Sequence, residues 1–138
     1  MSFEIITYIF IFVFGVVLVI QDWKSKTVGL FPTVGFLFSC VIEFIYNKNI
    51  CLYPFFIFLI IGGFYQLILH KKAFGLADYI IVFAISFILP DNYWTFFIIM
   101  IGIFGILIAV LRQENKIPFI PALIFSIILI KIFNLIKY

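Results

Sequence analysis

Six long apolar runs, each closed by a short polar segment, constrain this chain more than any other feature. They cover Ile5 to Ile20, Gly29 to Tyr46, Ile50 to Leu69, Ala73 to Leu89, Tyr93 to Leu111 and Ile117 to about Ile136. Crossing the hydrocarbon core takes about 20 residues as a helix and about 10 as a tilted strand. The runs fit the helix length and do not alternate as the strands of a membrane barrel do. The pattern therefore predicts an all-α, polytopic membrane protein with six transmembrane helices, forming a single domain over residues 1–138. Polar and turn-forming residues fill Gln21 to Thr27, Asn47 to Asn49, His70 to Lys72, Pro90 to Asn92 and Arg112 to Lys116. Connections this short make successive helices antiparallel.

Composition excludes a water-soluble globule, because 67% of the residues are hydrophobic and 11% charged, against about half and a quarter in soluble domains. Nine Lys or Arg stand against six Asp or Glu, scattered in pairs, so no nucleic-acid surface is expected and the lipid bilayer is the surrounding medium. The first run follows Glu4 rather than a basic residue and is not followed by an Ala-x-Ala-like site, which marks it as an uncleaved helix and not a signal peptide. Cys40 and Cys51 lack the paired spacing of a zinc site and are expected as small buried hydrophobes. No metal or cofactor is expected.

Orientation follows from the basic residues. The first, third and fifth loops hold Lys24, Lys26, Lys71, Lys72, Arg112 and Lys116, whereas Lys48, Lys131 and Lys137 fall on the other side. This asymmetry predicts that the odd loops are cytoplasmic and both termini face outward, with Lys131 snorkelling from the last helix. His70, beside Lys71 and Lys72, reads as part of a positive loop. Gly62-Gly63 and Gly102-x-x-Gly105 read as sites of close helix approach.

Carboxyl groups are costly at membrane depth, so each needs an explanation. Glu4, Asp91 and Glu114 lie at the terminus or in loops, and Glu43 is about one turn from the outer end of its helix, within reach of the interface. Asp22 and Asp78 differ. Only 17 residues separate Lys72 from Pro90, about 26 Å of helix, so the fourth span has to include Asp78, about two turns below Lys72. Asp22 follows Glu4 by 18 residues, about 27 Å, and reaches the same cytoplasmic boundary. Two carboxyls at one depth have the chemistry of an acid–base pair, one holding a proton while the other accepts one. Such a pair can activate water against a peptide carbonyl and protonate the leaving amine.

Local sequence narrows this further. Gly75-Leu76-Ala77-Asp78 resembles the Gly-x-Gly-Asp motif of intramembrane aspartyl proteases, with Ala77 in place of the second glycine. The segment Asp22-Trp23-Lys24-Ser25-Lys26-Thr27-Val28 is similar to the Asp-x-Arg/Lys-x-x-x-Ile-Pro element of the type IV prepilin peptidases, with Gly29 in place of proline. Ile117-Pro118-Phe119-Ile120-Pro121-Ala122-Leu123 resembles that family's Ile-Pro-Phe-Gly-Pro segment, and its Pro-Ala-Leu portion is similar to the motif of presenilins and signal peptide peptidases. Ile80 stands where the family often has Lys. The resemblance covers essentially the whole chain and is to the minimal, peptidase-only form, without a cysteine-rich domain or methyltransferase activity. It implies Asp22 and Asp78 as catalytic residues, supported by Lys24, Gly75, Ala77, Pro118, Phe119 and Pro121. The implied substrates are prepilin-like precursors, cut at the cytoplasmic face to release a short basic leader. Taken without the resemblance, the same residues also fit a small six-helix transporter or uptake-system subunit, or a noncatalytic assembly subunit.

Overall fold

The computed structural model describes residues 3–70, 74–113 and 117–137. Lys71, Lys72, Glu114 and Lys116, used above to read orientation and cost, lie outside the described residues. Six helices follow one another: α1 (Phe3–Ser25), α2 (Leu30–Asn47), α3 (Tyr53–Leu69), α4 (Leu76–Ser86), α5 (Trp94–Arg112) and α6 (Ile120–Ile136), with a single 3-10 turn over Asp91–Tyr93 before α5. Among the described residues there is no strand.

Three segments are long and apolar enough to cross a membrane: Phe3–Ser25, Leu30–Asn47 and Asp91–Arg112. The other three helices are shorter, and α4 departs most from the expected span. It covers 11 residues, about 17 Å, where the apolar run extends from Ala73 to Leu89. Gly75 precedes its first turn in extended conformation, φ −78° and ψ 164°. At the other end Phe87, Ile88 and Leu89 close tighter turns onto Ala84 and Ile85, just before Pro90, which disfavours helix at the residue preceding it.

α4 is short because it is interior. Ile81, Val82, Ala84, Ile85, Ser86, Ile88 and Leu89 are all buried, and the helix packs against α2, α3 and α6. α1 packs on α2 and α6, and α5 on α6. The Cys51 N–H donates to the Ser86 carbonyl at 2.8 Å, which ties the α2–α3 connection to the end of α4. Outward faces are apolar, with Leu30, Phe31, Leu67, Ile68, Leu111 and Leu135 exposed, the reverse of a soluble surface.

The glycines divide into two kinds. A Cβ on Gly35 would stand 2.5 Å from the Phe14 ring, and one on Gly62 would stand 1.9 Å from the Tyr79 hydroxyl. These two positions admit a neighbouring side chain against the backbone. Gly63, Gly102 and Gly105 face open space. The close-approach reading therefore holds at Gly62, whereas at Gly102 and Gly105 no described residue comes within 4 Å of an added Cβ.

One sequence expectation for the far end of the bundle is overturned. Glu43, expected to reach the interface, is 1% exposed. It accepts from Thr7 Oγ1 at 2.6 Å and from Asn47 Nδ2 at 2.5 Å, because its helical face is the inward one that also carries Phe36, Ser39 and Cys40. The Lys131 ammonium lies over the Tyr8 ring, 5.2 Å from the centroid, near the same end.

Candidate active site

Helix α6 creates a demand that helix α1 meets. The residue before its first turn is Phe119, which has no polar side chain with which to cap. Of the first amides in that turn, Ala122 and Leu123 bond back to the Phe119 carbonyl at 3.1 and 3.4 Å, and Pro121 has no N–H to satisfy. The Ile120 N–H remains, and it donates to Asp22 Oδ2 at 3.0 Å. Asp22 thus performs the work of an N-cap from a different helix. The Phe119 amide lies beside the same carboxylate, and the Arg112 guanidinium is near enough for its charge to act there. Asp22 is 7% exposed.

Asp78 is anchored within its own helix. It is the third residue of α4, so it sits in the first turn rather than two turns into a longer span, and it is half-buried. The Gly75 N–H donates to its Oδ2 at 2.8 Å, and its own N–H donates to the Gly75 carbonyl at 3.1 Å. Both carboxyls therefore stand where backbone amides and a helix N-terminus offset negative charge. They come close enough for the charge of Asp22 to act on Asp78.

An aromatic cluster joins the two anchors. The Phe74 ring, next to Gly75 in the chain, lies 5.0 Å from Phe119 and 5.9 Å from Tyr79. Phe58 of α3 closes the group at 5.1 Å from Phe74 and 5.5 Å from Phe119. Tyr79 in turn points its hydroxyl into the space above Gly62. Offset and edge contacts at such separations favour a fixed arrangement of the rings.

The residues singled out from sequence fall into two sets. Asp22, Asp78, Gly75, Phe119 and the first turn of α6 are brought together. Pro118, in the connection that delivers Ile120 to Asp22, and Pro121, in the first turn of α6, are buried, and Ala77 is half-buried against the core. Lys24 is exposed in the last turn of α1 and is not part of the carboxyl cluster.

Arg112 was missed as a site neighbour. Its guanidinium donates to the Trp23 carbonyl at 2.6 Å and lies 4.9 Å from that ring's centroid, joining the ends of α1 and α5 beside Asp22. The two residues are 89 apart, and nothing local signals the pairing. Phe74 and Tyr79 were also missed, although both flank the Asp78 motif.

Hydroxyls within the helices are satisfied locally. Ser39 and Ser126 bond the carbonyls of Gly35 and Ala122 four residues back, and Thr33, in the first turn of α2, bonds that of Gly29. Polar function is therefore concentrated at the ends of the bundle. Comparison of the chain with protein-family models, with curated proteins and with solved structures finds no match.

Proposed function

We propose that this chain is a membrane aspartyl endopeptidase that removes the short basic leader of type IV prepilin-like precursors at the cytoplasmic face. In this reading the six apolar runs cross the bilayer, the fourth as α4 with the turns that follow it to Leu89, both termini face outward, and Asp22 and Asp78 lie at the cytoplasmic end. One observation carries the proposal: two carboxyls from helices distant in sequence share one end of the bundle, near enough to interact, each held by backbone amides.

The division of labour follows from their surroundings. The Ile120 amide and the N-terminus of α6 stabilise negative charge on Asp22, which suits it to accept a proton from the attacking water. Asp78 holds the shared proton and gives it to the developing oxyanion; on collapse Asp78 takes that proton back from the gem-diol hydroxyl, and Asp22 passes the proton taken from water to the leaving amine. Both groups return to their starting states as the carboxyl product leaves.

A transporter would need polar groups near the bilayer midplane, whereas Ser39 and Ser126, within α2 and α6, bond carbonyls of their own helices. The test is processing of a prepilin-like precursor in a host that has no other such peptidase. Asp22→Asn and Asp78→Asn should each abolish cleavage at normal protein levels, while Asp91→Asn and Glu43→Gln should leave it intact. Near-normal cleavage by either aspartate variant removes the proposal. The new N-terminus should be unmethylated, which the mass of the processed pilin measures.

A further inference from the structure

The end of the bundle remote from Asp22 holds a second polar cluster. Tyr8 lies 14 residues before Asp22 on α1, about 21 Å along the helix. Its hydroxyl stands beside Glu43 and Asn47, and the Glu43 carboxylate already accepts from Thr7 and Asn47. Lys131 is the cation of this cluster. It is within electrostatic reach of Glu43, yet among the described residues it has no hydrogen bond or ion pair, only the Tyr8 ring beneath it. Lys131 and Tyr8 both line a cavity of about 360 Å³. Ile11, Phe36, Ile124 and Ile127 form the apolar floor, and Phe12 and Leu135 stand at the mouth. Both of these are exposed, at 57% and 73%, so the cavity opens sideways onto the outer surface between α1 and α6.

We propose that this cavity holds one acyl chain of an anionic phospholipid whose phosphate is bound by Lys131. A half-buried ammonium whose donors meet no acceptor among the described residues is costly, and a phosphate oxygen accepts its donors with opposite charge. The depth agrees. Lys131 is five residues before the end of α6 at Ile136, about 8 Å, and the polar headgroup layer is about 5–7 Å thick on each face. A helix ending at the outer edge of that layer puts Lys131 at the hydrocarbon boundary, where phosphates begin and acyl chains extend inward along the cavity. The space suits a chain and not a helix, whose diameter with side chains is about 10–12 Å. An anionic headgroup is favoured over a choline headgroup, whose own cation would face Lys131.

The site is independent of peptidase activity, and its test uses lipid retention alone. The purified protein in detergent is titrated with phosphatidylglycerol or phosphatidylcholine, and bound lipid is counted by native mass spectrometry. One phosphatidylglycerol should be retained, and Lys131→Gln should weaken retention about tenfold, the loss of one charge-assisted hydrogen bond. Lys131→Arg should restore it. Ile128→Trp, which fills the cavity from α6 and keeps the cation, should also release the lipid. Equal retention by wild type, Lys131→Gln and Ile128→Trp overturns the proposal, as does equal retention of phosphatidylcholine. Full displacement by inorganic phosphate overturns it too, since the site would then recognise an anion without a chain. If Lys131→Gln does not fold, the comparison of Lys131→Arg with Ile128→Trp decides by the same criterion.

Discussion

Asp22 Oδ2 accepts the Ile120 N–H at 3.0 Å across 98 residues of sequence, so the side chain near the end of α1 also caps α6. The carboxyl proposed to do chemistry is therefore a structural element as well, and the two roles respond differently to substitution. Asp22→Asn keeps an acceptor oxygen and should change stability by no more than about 0.5 kcal/mol, whereas Asp22→Ala should lose about 1 kcal/mol, the usual loss on removing a cap. Both should be inactive in processing. Thermal unfolding in detergent separates the variants, and equal melting of Asp22→Ala and wild type would show that α6 does not depend on this bond.

Gly62 and Gly63 are adjacent but not equivalent. A methyl on Gly62 would meet the Tyr79 hydroxyl at 1.9 Å and the Phe74 ring at 3.4 Å, while one on Gly63 meets nothing within 4 Å. Gly62→Ala should therefore destabilise by about 1–3 kcal/mol through overpacking, and it should lower processing because the displaced rings flank Asp78. Gly63→Ala should match wild type in both. Unfolding and cleavage measured on the two variants side by side check this, and indistinguishable behaviour would show that Tyr79 does not occupy the Gly62 space.

The contrast between those glycines shows what a sequence can carry. Helix number was legible because charged and turn-forming residues separate apolar runs of one repeated length, a pattern readable without knowing which helices touch. The Asp22–Ile120 bond was not legible, because the need for it arises from Phe119 being unable to cap and that need has no local signature. Glu43 was half legible: Asn47 four residues on is a natural helical partner, and Phe36, Ser39 and Cys40 mark its face as inward. Position near a helix end was a poorer guide than face, and it misdirected the reading of Glu43. For α4 the apolar run exceeds the helix because a helix buried on several sides has no need to match the bilayer thickness.

Several helices end on a residue of the wrong type for its conformation. Lys48, His70 and Gln113 hold φ of 51°, 50° and 49° as the closing residues of α2, α3 and α5. Left-handed backbone costs a side chain about 1–2 kcal/mol, and glycine avoids most of that cost while being more flexible when unfolded. Lys48→Gly should therefore stabilise the protein by about 0.5–1 kcal/mol, since its N–H bond to the Phe44 carbonyl at 2.7 Å is a backbone bond and survives. Melting temperature is the readout, and a decrease would mean that the Lys48 side chain contributes more than its backbone costs.

The orientation can be read by chemical labelling because the native thiols are out of reach: Cys40 and Cys51 are 0% and 1% exposed. Single cysteines placed at Ser25 and Asn92, both exposed and at successive ends of the bundle, should then report alone. A membrane-impermeant maleimide added to intact cells should label Asn92→Cys and spare Ser25→Cys, and permeabilisation should make the two equal. This outcome follows from the excess of Lys and Arg in the odd-numbered loops, since loops rich in basic residues are retained on the cytoplasmic side as a general rule. It bears directly on the proposed reaction, because Asp22 lies one turn before Ser25 on α1 and shares its side of the membrane. Labelling of Ser25→Cys in intact cells would turn the carboxyl pair outward, where a cytoplasmic leader cannot reach it, and would overturn the proposed peptidase function.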